Sequence, residues 1–121
     1  MYRILQIEDM PSDAYLIKRE IRKTLESCEF QVVDDQEAFL AALMEFKPHL
    51  IVSDFSIPGF SWQTALYLTH ANAPQTPFII VTGSTNDEIR NGCMKAGVTD
   101  FISKNLIQEL GPAILKALKS E

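Results

Sequence analysis

Five short apolar-rich runs, Arg3 to Ile7, Phe30 to Val33, Leu50 to Val52, Phe78 to Val81 and Phe101 to Ile102, are each followed by a segment of helix length. That alternation narrows the fold more than any other feature of the chain. Parallel strands need long crossovers, usually helices, and right-handed crossovers lay those helices on one or other face of the sheet. An α/β domain with a parallel sheet covered on both faces is therefore expected. At 121 residues the chain holds one such domain, with core enough to fold without disulfides or a structural metal. Leu50 to Val52 and Phe78 to Val81 carry no polar interruption and read as central strands. The short Phe30 to Val33 run suits an edge, and the first and third strands are expected to be neighbours.

The helices follow from apolar spacing. Ala14, Ile17, Ile21, Leu25 and Cys28 recur at three- and four-residue intervals, so a helix is expected from Asp13 onward with Ser12 as its capping residue. Phe39, Ala42, Leu43 and Phe46 mark a second helix, ended by Pro48. Ala65, Leu66, Leu68 and Thr69 mark a third after the Pro58-Gly59 turn, followed by the loop Asn72 to Pro77. A fourth carries Ile89, Cys93, Met94 and Ala96 and closes at Gly97 in a left-handed cap. Ile107, Leu110, Ile114, Leu115 and Leu118 form the last, with Gly111-Pro112 expected to weaken its first turns.

Composition excludes several function classes. A net charge of -5 and a pI near 5.0 argue against a nucleic-acid surface, which needs clustered Lys and Arg. No apolar run approaches a bilayer span or a signal peptide, so a soluble cytoplasmic domain is expected, either whole or cut from a larger protein. Cys28 and Cys93 lack any Cys-x-x-Cys spacing and read as small buried hydrophobes.

The chemistry gathers where strands end. Asp9, Asp54, Thr82 and Lys104 each stand within two residues of the end of an apolar run, and the carboxyl ends of parallel strands share the edge where such folds bind ligands. Singly, each has an ordinary explanation: a helix-terminal acid, a loop carboxylate, a turn hydroxyl and an exposed lysine. Together they place complementary groups from four loops at one edge. With the first and third strands adjacent, Glu8, Asp9 and Asp54 would crowd three negative charges, repelling by roughly 4 kcal/mol per pair at an effective dielectric of about 20. Magnesium suits such an oxygen-rich site. Asp9 and Asp54 would bind it directly, Glu8 partly through water, and the Ser56 backbone carbonyl is a further candidate ligand, with Lys104 supplying fixed positive charge.

Four stretches carry a resemblance: Ile4-Leu5-Gln6-Ile7-Glu8-Asp9; Leu50-Ile51-Val52-Ser53-Asp54 with Pro58 beyond; Ile79-Ile80-Val81-Thr82-Gly83; and Lys95-Ala96-Gly97 through Asp100-Phe101-Ile102-Ser103-Lys104. In order and spacing the chain resembles the receiver domain of two-component response regulators over residues 1–121. The resemblance implies a flavodoxin-like three-layer sandwich with strand order 2-1-3-4-5, an aspartyl-phosphate at Asp54, magnesium on Glu8, Asp9 and Asp54, and switching through Thr82 and Phe101. It implies a sensor histidine kinase or histidine phosphotransfer domain as phosphodonor, and an effector domain or protein downstream.

Two positions depart from the family pattern. Asn105 follows Lys104 where receivers usually carry Pro, so a trans bond and an altered last loop are expected. Trp62 stands where the family tends to have Gly, and reads as a partly buried residue covering that loop. A dehalogenase-type phosphatase would need a second acid at Ser56, and a flavodoxin would not tolerate Glu8-Asp9 beside the flavin phosphate. A receiver-like scaffold that binds partners without phosphorylation is the alternative reading.

Overall fold

The computed structural model describes residues 1–83 and 86–119; Ser84, expected in the loop after the fourth strand, and the polar terminal pair Ser120-Glu121 lie outside the described residues. Along the chain run β1 (Tyr2–Ile7), α1 (Pro11–Thr24), β2 (Cys28–Val33), α2 (Gln36–Glu45), β3 (Leu50–Asp54), α3 (Trp62–Asn72), β4 (Phe78–Thr82), α4 (Asp87–Ala96), β5 (Asp100–Ser103), a 3-10 segment (Lys104–Glu109) and α5 (Leu110–Lys119). The five strands form one parallel sheet in the order β2-β1-β3-β4-β5, as the resemblance implies.

Period-two alternation divides the core between the two faces of that sheet. Leu5, Ile7, Ile51, Phe78, Ile80 and Phe101 pack under α2, α3 and α4 through Phe39, Leu43, Leu66 and Cys93. Ile4, Leu50, Val52, Ile79, Val81 and Ile102 pack under α1 and α5 through Ile17, Ile21, Ile114 and Ala117. Each fully buried aliphatic or phenyl side chain stabilises the fold by about 1.5–3 kcal/mol. β3 and β4 are interior strands, and β2 is an edge, as the apolar patterns require.

Local chemistry sets most helix ends. Asp35, Ser61 and Asn86 cap α2, α3 and α4 by accepting from the amides of Ala38, Thr64 and Ile89. Gly97 closes α4 with φ 108°. α1 departs from expectation, because it starts at Pro11 with Met10 before it and no side-chain cap. Proline fits the first helical position, where its missing N–H has no partner to lose. The same helix stops at Thr24, since Cys28 is drawn into β2 by pairing with Tyr2 and the Tyr2 amide bonds the Ser27 carbonyl at 3.0 Å. The second strand is accordingly longer than its apolar run.

The last helix also differs. Ile107 lies in the 3-10 segment, and α5 begins at Leu110, so Gly111-Pro112 sits in an opening turn that tolerates proline rather than weakening a running helix. Glycine is needed there for space: a Cβ on Gly111 would come 2.5 Å from Thr24 Oγ1, where α1 and α5 cross. Cys93 is buried and Cys28 half-buried, and burial pushes both thiols up, so neither is an activated nucleophile. Among the described residues no helix is long and apolar enough to cross a membrane.

Candidate functional site

The register of the parallel strands brings their ends together. Ile7 pairs with Ser53, Asp54 with Val81 and Thr82 with Ser103, so the residues at or just past these positions share the carboxyl edge of the sheet. Lys104 follows β5 and turns its ammonium back over that edge. Its Nζ donates to Asp13 Oδ2 at 2.8 Å, Asp54 Oδ2 at 3.2 Å and Glu8 Oε1 at 3.3 Å. An ammonium has three N–H bonds, and three carboxylates face them.

Glu8 is 4% exposed and continues the alternation that points Ile4 and Gln6 toward α1 and α5. Burial, reinforced by the charge of Asp54, pushes its carboxyl up to about 7, although Lys104 and the Met10 amide both favour the ionised form. For Lys104, burial pulls downward, but the bond to Asp13 and the charges of Asp54 and Glu8 outweigh it and hold the ammonium above its ordinary value. Asp54 Oδ1 accepts the Phe55 amide at 2.7 Å, which fixes the carboxylate plane while Oδ2 meets Lys104.

Asp9 and Ser56 are exposed and line, with Asp54, Phe55 and Trp62, a cleft of about 660 Å³. Thus Asp9 shares a cleft with Asp54, whereas the partners of Lys104 are Glu8, Asp13 and Asp54. Asp13 is the member that sequence reasoning passed over, taking it only as the start of a helix. The available signal was positional: an acid in the first turn of a helix that begins at a strand end hangs over the same edge.

Thr82, 4% exposed, ends β4, and Phe101, 2% exposed, lies on the face covered by α2, α3 and α4. Arg90 of α4 donates from Nη1 to the Phe101 carbonyl at 2.9 Å. The Lys104–Asn105 bond is trans. The Asn105 amide, which proline would lack, donates to Ser103 Oγ at 3.1 Å. Trp62 is half-buried and stacks on Phe55 with ring centres 6.0 Å apart, as a residue covering that loop would.

Carboxylate oxygens of Glu8, Asp13 and Asp54 lie within 4.8 Å of one another, close enough to share a cation. One ammonium cannot neutralise three carboxylates, and the Glu8 carboxyl, raised first by burial and then by the charge of Asp54, sits in that deficit. A hard divalent ion with oxygen ligands fits this donor set.

Residues 4–116 match the response regulator receiver domain family. The chain is 27% identical over 104 residues to the C4-dicarboxylate transport transcriptional regulatory protein DctD of Pseudomonas aeruginosa, covering 84% of this chain and 22% of that protein. It therefore spans about a fifth of the length of this curated relative. Among solved structures, the signal receiver domain of a putative Luxo repressor protein from Vibrio parahaemolyticus superposes with a TM-score of 0.85 at 25% identity, covering 98% of this chain and 91% of the other. The receiver domain of a sensor histidine kinase from Pseudomonas aeruginosa, solved with magnesium in its active site cleft, shares the fold at TM-score 0.81 and 21% identity, with 98% of each chain covered. Receiver domains are signalling domains that bind magnesium in an acidic pocket and work with histidine kinases and effector domains. By family match, strand order and fold, the chain belongs to the response regulator receiver domains.

Proposed function

We propose that Asp54 accepts a phosphoryl group from a sensor histidine kinase or histidine phosphotransfer domain, and that the charge so gained reshapes the surface of α4, β5 and α5 for a downstream effector in the cytoplasm. The observation that carries this reading is the Lys104 ammonium 3.2 Å from Asp54 Oδ2 at the carboxyl edge of the sheet.

A carboxylate oxygen of Asp54 attacks the donor phosphorus in line; the O–P bond forms as the bond from phosphorus to the donor's nitrogen or oxygen breaks. The Phe55 amide keeps Asp54 aligned, and Lys104 donates to a transferring phosphoryl oxygen. Glu8, Asp9 and Asp54, with the Ser56 carbonyl, would hold magnesium, and Asp13 lies close enough to join them. When bound, that ion neutralises charge on the phosphoryl oxygens. The aspartyl phosphate carries roughly one and a half to two negative charges where the free carboxylate carried one, and toward its oxygens the Thr82 hydroxyl turns while Phe101 moves into the space it leaves.

Incubation with acetyl phosphate and magnesium should add one phosphoryl group by intact mass in the wild type and none in Asp54→Asn. Absence of the gain in the wild type would leave the phosphorylation-independent scaffold as the better reading.

A further inference from the structure

Asp13 makes the shortest of the three bonds to the Lys104 ammonium, 2.8 Å against 3.2 and 3.3 Å. It also comes from a different element than the rest of the site. Glu8 and Asp54 sit at strand ends, whereas Asp13 stands in the first turn of α1, which packs across β5's continuation through its contacts with α5 and the 3-10 segment. Lys104 is thereby tied to the helix as well as to the sheet.

We propose that Asp13 is a positioning residue that holds Lys104 in its unphosphorylated arrangement and competes with the phosphoryl group for it. This rests on the reading of Asp54 as phosphoacceptor. All three N–H bonds of the ammonium already face carboxylates, so a phosphoryl oxygen arriving on Asp54 obtains a charge-assisted bond from Lys104 only by displacing one of them. The Asp13 side chain, a third exposed, is the partner that water can most readily take over; Glu8 is almost wholly buried at 1% and Asp54 is the reacting group itself, at 13%. Release of Asp13 frees the first turn of α1 from the β5 junction, which links occupancy of Asp54 to the position of that helix. Without Asp13, Glu8 alone competes with the phosphoryl oxygens for Lys104.

Asp13 also occupies a first-turn position where any acid favours the helix dipole, and its charge repels an anionic donor whatever Lys104 does. The test must separate these effects from competition for the ammonium. Phosphoryl gain from acetyl phosphate is followed by mass at saturating magnesium in the wild type, Asp13→Asn, Asp13→Glu, Lys104→Met and the Asp13→Asn/Lys104→Met double variant. Competition predicts that Asp13→Asn phosphorylates about two- to fivefold faster than wild type, the range of a partly exposed ion pair. Asp13→Glu restores a rate near wild type. In the Lys104→Met background, Asp13→Asn has no effect beyond about 1.5-fold, since coupling appears only when both partners are present. An equal acceleration in both backgrounds would assign Asp13 to general repulsion and overturn the positioning role, as would slower phosphorylation in Asp13→Asn. Either result leaves Asp54 as acceptor. If the wild type gains no phosphoryl group, the acceptor reading itself fails and this inference with it.

Discussion

The guanidinium of Arg90 lies 6.0 Å from the ring centre of Phe101 and bonds the Phe101 carbonyl at 2.9 Å, so one side chain clamps both the backbone and the ring of β5's buried aromatic. The nearby Asp100 carboxylate, 3.9 Å away and partly exposed, adds little. Replacing Arg90 by Ala should lower stability to urea by about 1 kcal/mol, from one charge-assisted bond and one exposed cation–π contact. Arg90→Lys should recover less than half of that, because an ammonium cannot cover the ring while bonding the carbonyl. Urea titrations of the three proteins decide it; equal stability of all three would show that the clamp contributes nothing.

Glu8 sets a pH dependence. Its folded pKa of about 7 lies above the ordinary carboxylate value of 4.5, so between those pH values the folded chain binds a proton that the unfolded chain has lost. Stability of the metal-free protein should therefore fall as pH rises through that window and level off above it, by up to about 3 kcal/mol from this group. Glu8→Gln should remove the slope and be the more stable protein at pH 8. Denaturant midpoints from pH 5 to 8 in the presence of a chelator measure both.

Magnesium should act in the opposite sense to that repulsion. Binding to the folded state alone at a hundredfold excess over Kd adds about 2.7 kcal/mol. A rise in Tm of several degrees is expected for the wild type, with less than half of it remaining in Asp54→Asn. Thermal melts with and without the ion supply the comparison; an undiminished shift in the variant would place the ion elsewhere.

Gly111 is fitted against Thr24. An alanine Cβ would meet Thr24 Oγ1 at 2.5 Å, so Gly111→Ala should destabilise by about 1–3 kcal/mol, as overpacked sites do. Adding Thr24→Ala to Gly111→Ala should return most of the loss. Additive losses in a double-mutant cycle would mean that the two residues do not meet.

Lys47, after α2, takes φ 53°, while Arg3 Nε donates to the Phe46 and Lys47 carbonyls at 2.8 and 3.0 Å. A non-glycine residue in that conformation carries about 1–2 kcal/mol of strain, and glycine loses about 0.5–1 kcal/mol in backbone entropy. Lys47→Gly should therefore stabilise the fold by about 0.5 kcal/mol, read from the shift in urea midpoint.

Elements whose signals are local were legible in the chain itself. The apolar runs of β3 and β4 marked interior strands, Gly97 marked the end of α4, and position at the strand ends marked Asp9, Asp54, Thr82 and Lys104 with Glu8 beside them, of which Glu8 and Asp54 meet the Lys104 ammonium while Asp9 only shares a cleft with Asp54. Each of these depends on a side chain's own preference or on the shared geometry of parallel strand ends. What needed the folded molecule were the features decided by two distant segments meeting. Pairing with Tyr2 took Cys28 from the helical stripe into β2, and the crossing at Thr24 gave Gly111 its role at the start of α5. The ammonium of Lys104 chose Asp13, 91 residues away, as its nearest partner. Periodicity reports which face of an element is buried; it carries no distance between elements, and a charge network is made of those distances.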